Sequence, residues 1–300
     1  MTGRWGRYVA AAYPPAVHVP FMLSWAIGLT ALFAAVGGVP RWRPDGGLAV
    51  TAVTLVVGML LLRAMDDIRD HEYDRRHNPH RPLPAGVVRE RDLMVLVVLG
   101  AAALLLLNAG RGVVLAALAG QLGYTAVVIT LDRVYGWPAG DRLALHLAVN
   151  LPIQPLLSIY VYTAFLHAEG RRPDLGGVLA IVAVTLSGVC LEFGRKATRR
   201  PRPGERTYST VLGPWGTTAV ALGAAVLATG IVLVLLRPWQ SGAGHAWGWL
   251  ALVPLAWSVA AASRFVTGAP RWPVGLTIAY IPVTYASYLA VGWLTKGAPA

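Results

Sequence analysis

The sequence predicts an all-α membrane protein with nine transmembrane helices around a central cavity, and three observations lead to this fold class. Hydrophobic residues make up 56% of the chain, whereas charged residues make up only 13%. Soluble proteins carry about 25% charged residues, so lipid is the expected surroundings of most of the surface. Long apolar runs alternate with short polar or Gly/Pro-rich breaks, and most charges lie in those breaks.

Nine apolar runs approach or exceed the length of about 20 residues that crosses a bilayer. They cover residues 15–37, 46–65, 92–109, 112–131, 142–167, 175–195, 212–236, 247–265 and 274–295. The fifth run is interrupted by polar residues and by Pro152 and Pro155. Because prolines at membrane depth require other groups to satisfy the freed carbonyls, we expect this run to line the cavity. Residues 1–300 are predicted to form one domain.

The basic residues predict the orientation of the chain. With nine spans, 19 of the 26 Lys and Arg residues lie on the side of the N-terminus and seven on the other side. The positive-inside rule therefore places the N-terminus in the cytosol and the C-terminus outside, in a multi-pass protein of the cell membrane. Of the 14 acidic residues, only Asp45, Glu169 and Asp174 fall outside. Both signs of charge thus concentrate in a predicted cytosolic cap, formed by the loops after the second and sixth helices.

Composition also excludes several classes of protein. The single cysteine, Cys190, excludes an intramolecular disulfide and a cysteine-built metal site. Residues 1–15 lack the apolar core of a cleavable signal peptide, so we expect the first span to direct insertion. The charged residues that give the net charge of +12 lie in the segments between the apolar runs. This distribution favours a role in membrane orientation and in binding an anionic substrate over a role in binding nucleic acid.

The first charged loop follows the second apolar run and spans residues 63–88. Its four aspartates stand at i, i+1, i+4 and i+8: Asp66, Asp67, Asp70 and Asp74. On a continuing helix the first, third and fourth line one face. Carboxylates this close repel one another unless cations neutralise them, and all-oxygen ligands suit Mg²⁺, which completes its shell with water and substrate phosphate. The alternative is a solvated helix end, with neighbouring arginines as salt-bridge partners.

This loop resembles the signature of the UbiA superfamily of intramembrane prenyltransferases. Members read Asn-Asp-x-x-Asp-x-x-x-Asp, followed by Arg-Pro-(Ile/Leu)-Pro-(Ser/Ala)-Gly. Here Asp66 takes the Asn position, and the other aspartates and the Arg81-Pro-Leu-Pro-Ala-Gly86 run fit in register. The resemblance implies Mg²⁺-dependent transfer of a prenyl group from a prenyl diphosphate, in a cavity open to lipid. It places the metal ligands on Asp66 and Asp70, with Asp67 and Asp74 supporting them, and Arg81 near the diphosphate.

The second charged loop, residues 191–213, departs from the family pattern. Counting back from Gly204, the two aspartate positions of the family fall on Lys196 and Arg200. A subset of the superfamily resembles this loop in carrying Glu-x-x-Arg-Lys, here Glu192, Arg195 and Lys196. Arginine forks bind phosphate bidentately, so Arg195, Lys196 and Arg199 are predicted to bind the diphosphate. Glu192 either reaches a metal ion or pairs with the basic residues, and a plain cytosolic anchor remains the alternative for the whole loop.

Tyr135 lies near the position where family members carry a tyrosine beside the diphosphate, and is a further predicted contact. Three functions remain open from the sequence. The leading one is Mg²⁺-dependent prenyl transfer to a small lipophilic acceptor, aromatic or quinone-like, within membrane lipid. The second is a UbiA-type terpene cyclase, in which the substrate's own double bonds capture the cation. The third is a non-enzymatic transporter or lipid-binding protein, which leaves the Arg-Pro-x-Pro run unexplained.

Overall fold

A computed structural model describes residues 3–39, 42–138, 142–201, 205, 207–241 and 243–296. The α-helices in these ranges are α1 (Arg4–Ala12), α2 (Pro15–Gly37), α3 (Gly46–Arg69), α4 (His71–His77), α5 (Glu90–Leu107), α6 (Val113–Tyr135), α7 (Leu143–Asn150), α8 (Ile153–Glu169), α9 (Leu175–Arg195), α10 (Ser209–Leu236), α11 (Ala243–Ala246), α12 (Leu252–Val266) and α13 (Val274–Lys296). Short 3₁₀ turns cover Ala109–Arg111 and Trp247–Ala251. No β-strand occurs among the described residues, which confirms the predicted all-α class.

Eight helical stretches have the length and apolar character of a membrane span. They are α2, α3, α6, α7 with α8, α9, α10, α12 with the residues before it, and α13. The predicted third run, 92–109, corresponds to α5, which has 18 residues and begins with Glu90, Arg91 and Asp92. Because of these three charged residues, α5 is not one of the eight stretches. A multi-pass membrane protein is therefore confirmed, whereas nine spans, a central cavity and a cytosolic cap stay predictions.

The fifth predicted run is broken into α7 and α8, and other side chains satisfy the carbonyls near the break. The Tyr124 hydroxyl donates to the Val149 carbonyl at 2.7 Å. The Asn150 amide donates to the His146 carbonyl at 2.7 Å, and Gln154 donates to the Val184 carbonyl of α9 at 2.9 Å. Tyr124 and Asn150 thus satisfy carbonyls beside the break, and Gln154 ties the break to α9.

Glycines allow α2 and α13 to approach closely in the centre of the bundle. A Cβ atom on Gly28 would lie 2.4 Å from the Tyr285 carbonyl oxygen, and one on Gly292 would lie 2.6 Å from the Ala31 carbonyl oxygen. Small residues at such crossings let helix backbones pack without intervening side chains. Next to the first contact, Trp25 stacks on Tyr285 with ring centroids 5.8 Å apart. This pair anchors the apolar core that the other helices surround.

Side-chain contacts show which helix ends lie together. Arg69, at the end of α3, donates to Asn150 at the end of α7. Tyr162, in the second half of α8, donates to Asp174 before α9. The helices α8 and α9 therefore run antiparallel, and α3 and α9 end on the same side. We call the side holding residues 66–81 and 192–199 the motif end, and the side holding Asp45 and Asp174 the opposite end.

Candidate functional site

Asp66 and Asp70 form the exposed part of the first charged loop. Their side chains are 49% and 40% exposed. One guanidinium lies between them: Arg69 Nη2 is 2.9 Å from an Asp66 carboxylate oxygen, and Arg69 Nε is 3.3 Å from one of Asp70. Arg69 Nη1 also donates to Asn150 Oδ1 at 3.0 Å. Two accessible carboxylates one helical turn apart thus lie at the very end of a membrane helix.

Asp67 and Asp74 are buried, with side-chain exposures of 4% and 2%. Asp67 lies 2.8 Å from Arg63 and accepts the Tyr8 hydroxyl at 3.0 Å. The sequence-based expectation that Asp74 shares a face with Asp66 and Asp70 is therefore wrong. Asp70 lies between α3 and α4, and i→i−4 backbone bonds continue through it, from Asp70 N–H to Asp66 and from Asp74 N–H to Asp70. Asp74 therefore stands two helical turns after Asp67, on the same buried side.

The Arg-Pro-x-Pro run folds back on the buried aspartates. Arg81 Nη1 lies 2.6 Å from Asp74 Oδ2, and Asn78 donates to the other Asp74 oxygen at 2.8 Å. Leu83 is buried against Tyr8 of α1. Gly86 has φ +73°, a backbone conformation that glycine adopts without strain. The run therefore holds α1, α3 and α4 in register, while Arg81 keeps 35% of its side chain exposed.

The basic residues of the second charged loop lie around one carboxylate. Arg195 and Lys196 contact different oxygens of Glu192, at 2.5 and 2.6 Å. The Tyr208 hydroxyl donates to Glu192 at 3.3 Å, and the Lys196 ammonium lies 5.2 Å from the centre of the Tyr208 ring. Arg195 is 58% exposed and Lys196 28%. Of the two roles open for Glu192, the structure displays the pairing with basic residues; a metal contact stays a prediction.

Arg199 has a different environment from Arg195 and Lys196. Its guanidinium donates to the carbonyls of Phe265 at 2.8 and 3.0 Å and of Val266 at 2.6 Å. These carbonyls belong to the last turn of α12, so Arg199 caps that helix. Its predicted contact with diphosphate would require it to exchange these bonds. Gly204, from which the motif was counted, lies outside the described residues.

Tyr135 is the last residue of α6 and its side chain is 73% exposed. Two residues earlier, Arg133 forms an ion pair with Glu90 of α5. Asp132, in the same turn, interacts electrostatically with Arg69. The end of α6 therefore lies near the exposed aspartates, and the predicted role of Tyr135 stays a prediction.

The α7–α8 break connects the two charged loops. Asn150 accepts from Arg69 of the first loop, and Gln154 donates to Val184, two turns before Glu192 on α9. Gln154 also lies directly against α9, since a Cβ atom on Gly188 would overlap its amide at 1.8 Å. The junction thus contacts Arg69 of the first loop and the part of α9 that leads into the second loop.

Burial shifts the pKa of two tyrosines at the motif end, outside the membrane-spanning stretches. Burial and then the neighbouring Asp67 carboxylate raise the pKa of Tyr8 well above its usual range. Burial and then Glu192 likewise raise the pKa of Tyr208. Both phenols therefore stay protonated at all physiological pH values, and act as hydrogen-bond donors to their carboxylates.

Tyr8 and Asn150 are residues of this end whose partners the sequence does not reveal. Tyr8 contacts Asp67 across 59 positions of the chain, and Arg69 contacts Asn150 across 81. The available signal for Tyr8 was the amphipathic run Arg4–Ala12, which forms the unpredicted helix α1. For Asn150 the available signal was its own position, as a polar residue close to Pro152 within an apolar run.

The donor set fits a metal ion shared with a substrate better than a metal ion held by protein alone. Among the described residues, no group of three or more His, Cys, Asp and Glu side chains is arranged to hold a metal ion. Mg²⁺ in proteins usually takes one or two carboxylates and completes its octahedron with waters and phosphate oxygens. Asp66 and Asp70 supply those two carboxylates, on side chains that are 49% and 40% exposed.

Comparison with known proteins supports the fold. No protein-family model matches the sequence, and neither does any curated protein. Among solved structures, the chain is similar to the apo structure of a UbiA homolog from Aeropyrum pernix K1, with a TM-score of 0.61 and 18% sequence identity. The similarity covers 92% of this chain and 96% of that one. The predicted resemblance to the UbiA superfamily is thus confirmed at the level of the fold.

Proposed function

We propose that the protein is an intramembrane prenyltransferase of the UbiA type, which ionises a prenyl diphosphate and transfers the prenyl group to a small aromatic or quinone-type acceptor. One observation carries the proposal: Asp66 and Asp70, half-exposed and one turn apart, end a membrane helix within a UbiA-like fold. Ionisable residues within membrane helices are costly and mark functional sites. An anionic substrate that arrives with cations accounts for the mixed charges around them.

Asp66 and Asp70 would hold Mg²⁺, which when bound supplies positive charge against the diphosphate oxygens. Arg195 and Lys196 would neutralise the diphosphate from the second loop, and Arg81 from the Arg-Pro-x-Pro run. As the bond between C1 of the prenyl chain and the phosphate oxygen breaks, its electron pair leaves with the diphosphate. Positive groups fixed near those oxygens stabilise the charge that develops there.

The allylic cation is then captured by the acceptor, which forms a bond to C1 and loses a proton. Buried aromatic rings of α13, Tyr280, Tyr285 and Tyr288, lie in the apolar core. Cation–π attraction to such rings contributes about 0.5–2 kcal/mol each.

A terpene cyclase is the second candidate, favoured by the basic second loop. Lys196 and Arg200 stand where the family carries aspartates, and divergence at the diphosphate site fits altered chemistry. The two candidates differ in their products. A cyclase forms a cyclic hydrocarbon or alcohol from the prenyl diphosphate alone, whereas a prenyltransferase forms a prenylated acceptor.

Product analysis separates these candidates and a non-enzymatic transporter. The full-length protein in lipid nanodiscs is incubated with Mg²⁺ and prenyl diphosphates of several lengths, with and without aromatic acceptors, and products are identified by mass spectrometry. The proposal expects a prenylated acceptor only when acceptor is present. A cyclic product without acceptor would establish the cyclase, and intact substrate under every condition would leave the transporter.

The proposed location is the cell membrane, with the N-terminus in the cytosol and the C-terminus outside. The asymmetry of basic residues supports this orientation. Reporter tags fused to each end test it, and finding both ends on one side would show that α5 or another predicted run does not span the bilayer.

A further inference from the structure

Arg69 differs from the other arginines of the first charged loop in the carboxylates with which it forms ion pairs. Arg63 and Arg81 pair with the buried aspartates Asp67 and Asp74. Arg69, itself only 13% exposed, pairs instead with the two exposed carboxylates, Asp66 and Asp70. A largely buried cation thus depends on two accessible anions, and these are the oxygens that a metal ion would use.

The geometry makes Arg69 and a metal ion competitors for the same oxygens. Two carboxylates that bind a divalent cation lose attraction for a guanidinium beside them, since like charges repel. A mostly buried guanidinium that loses its ion pairs is unfavourable. Arg69 would keep the electrostatic attraction of Asp132, and a phosphate oxygen would replace its two lost ion pairs, since planar guanidinium groups bind phosphate oxygens bidentately.

Asn150 keeps Arg69 at the site when its other partners change. The Asn150 carbonyl oxygen accepts Arg69 Nη1 at 3.0 Å, and its amide is fixed by the His146 carbonyl at 2.7 Å. This anchor comes from α7, a different element from the one that bears the aspartates. It therefore remains when Asp66 and Asp70 are taken by a metal ion.

We propose that Arg69 is a partner-exchanging residue: it competes with the divalent cation for Asp66 and Asp70, and turns to a diphosphate oxygen when the cation takes them. The inference rests on the proposed function. It makes the binding of metal and diphosphate cooperative, because each ligand removes a cost imposed by the other. A diphosphate that arrives with its metal ion binds well, whereas a free metal ion binds weakly.

The test measures two affinities without turnover, on the full-length protein in lipid nanodiscs. Mn²⁺ binding is followed by electron paramagnetic resonance without diphosphate. Binding of radiolabelled inorganic diphosphate is then measured at saturating Mn²⁺. Arg69→Gln is compared with Arg75→Gln, a matched loss of charge in the same loop, because Arg75 is 66% exposed and pairs with Glu72.

Arg69→Gln is expected to bind Mn²⁺ tighter, by about three- to ten-fold, because the competitor is gone. It is expected to bind diphosphate about ten-fold more weakly, because one charge-assisted contact is lost. Arg75→Gln should leave both affinities within about two-fold, since exposed pairs contribute little. Arg69→Lys keeps the charge without the fork, should shift both affinities in the same directions by less, and carries the test if Arg69→Gln does not fold.

Only opposite shifts support the inference. If both affinities weaken together, Arg69 is a fixed structural tie, and if the Mn²⁺ or the diphosphate affinity stays at its wild-type value, Arg69 does not exchange partners. Failure of the proposed function looks different, because the wild-type protein would then bind neither Mn²⁺ nor diphosphate. That result would remove both proposals at once.

Discussion

The two ends of the helix bundle use similar polar residues in opposite ways. At the opposite end, Asp45 and Asp174 accept backbone N–H groups at 2.7 Å and begin α3 and α9. Asn108 there bonds to Thr54 and accepts from Tyr160 and Arg111. Both aspartates cap the start of a helix, and Asp174 also accepts the Tyr162 hydroxyl of α8 at 3.2 Å.

At the motif end, acids lie beside acids. Asp66 and Asp70 share one guanidinium and remain half-exposed, while Lys196 and Arg195 share the single Glu192. Neither cluster caps a helix, and each carries a net charge, because two aspartates share one guanidinium and two basic residues share one carboxylate. A charged residue at the end of a membrane helix is thus structural when it caps the helix backbone. It indicates a ligand-binding site when it lies beside other residues of the same charge.

The largest expected effect comes from the exposed aspartates. Asp66→Ala or Asp70→Ala should lower turnover by roughly 10²–10³-fold, the cost of removing one preorganised electrostatic group from an active site. Expression and folding in detergent should remain, since neither side chain is buried. Product formation per folded protein measures the effect. Near wild-type Mg²⁺-dependent activity in either variant would show that the site lies elsewhere.

Lys196→Ala should have the next largest effect. A charge-assisted hydrogen bond contributes about 1.5–3 kcal/mol, so diphosphate affinity should fall on the order of ten-fold or more. The affinity is measured with inorganic diphosphate at saturating Mg²⁺. Arg237→Ala, which removes a basic residue beyond the other end of α10, is the control and should leave the affinity unchanged.

Arg199→Ala sharpens the comparison within the second loop. Because Arg199 is engaged with α12 carbonyls, we expect only about a two- to three-fold loss of diphosphate affinity. The freed carbonyls should cost about 1–3 kcal/mol of stability, visible in thermal unfolding. Unchanged diphosphate affinity in both Lys196→Ala and Arg199→Ala would make the loop a simple cytosolic anchor.

The smallest effect on function is expected at the opposite end. Asp174→Ala removes the cap of α9 and the partner of Tyr162. Loss of such a cap costs about 0.5–2 kcal/mol, so the unfolding temperature should fall. Diphosphate affinity should stay at its wild-type value. A loss as large as that of Lys196→Ala would erase the functional difference between the two ends.

The sequence predicted local features of this molecule well and distant ones poorly. The runs 15–37 and 175–195 match α2 and α9 residue for residue, because the length of an apolar helix can be counted from consecutive residues. The exposed pair Asp66 and Asp70 also follows from its spacing. The burial of Asp74 does not, since it depends on contacts with Arg81 and Asn78.

Partners that are distant in the sequence were outside the reach of the same reasoning. The contact of Tyr8 with Asp67 depends on how α1 docks, and that of Arg69 with Asn150 depends on where α7 ends. Nothing in either local pattern specifies these positions. Arg199 is another example: the sequence did not reveal its contacts with the last carbonyls of α12, and its predicted diphosphate contact stays a prediction.

The central claim is that the motif end binds a diphosphate through a divalent cation held by Asp66 and Asp70. Calorimetric titration with inorganic diphosphate, with and without Mg²⁺, tests it most directly on the wild type, the double variant Asp66→Asn/Asp70→Asn and Asp174→Asn. We predict Mg²⁺-dependent binding to the wild type and to Asp174→Asn, and loss of that dependence in the double variant. Equal affinity of the double variant and the wild type in Mg²⁺ would contradict the account.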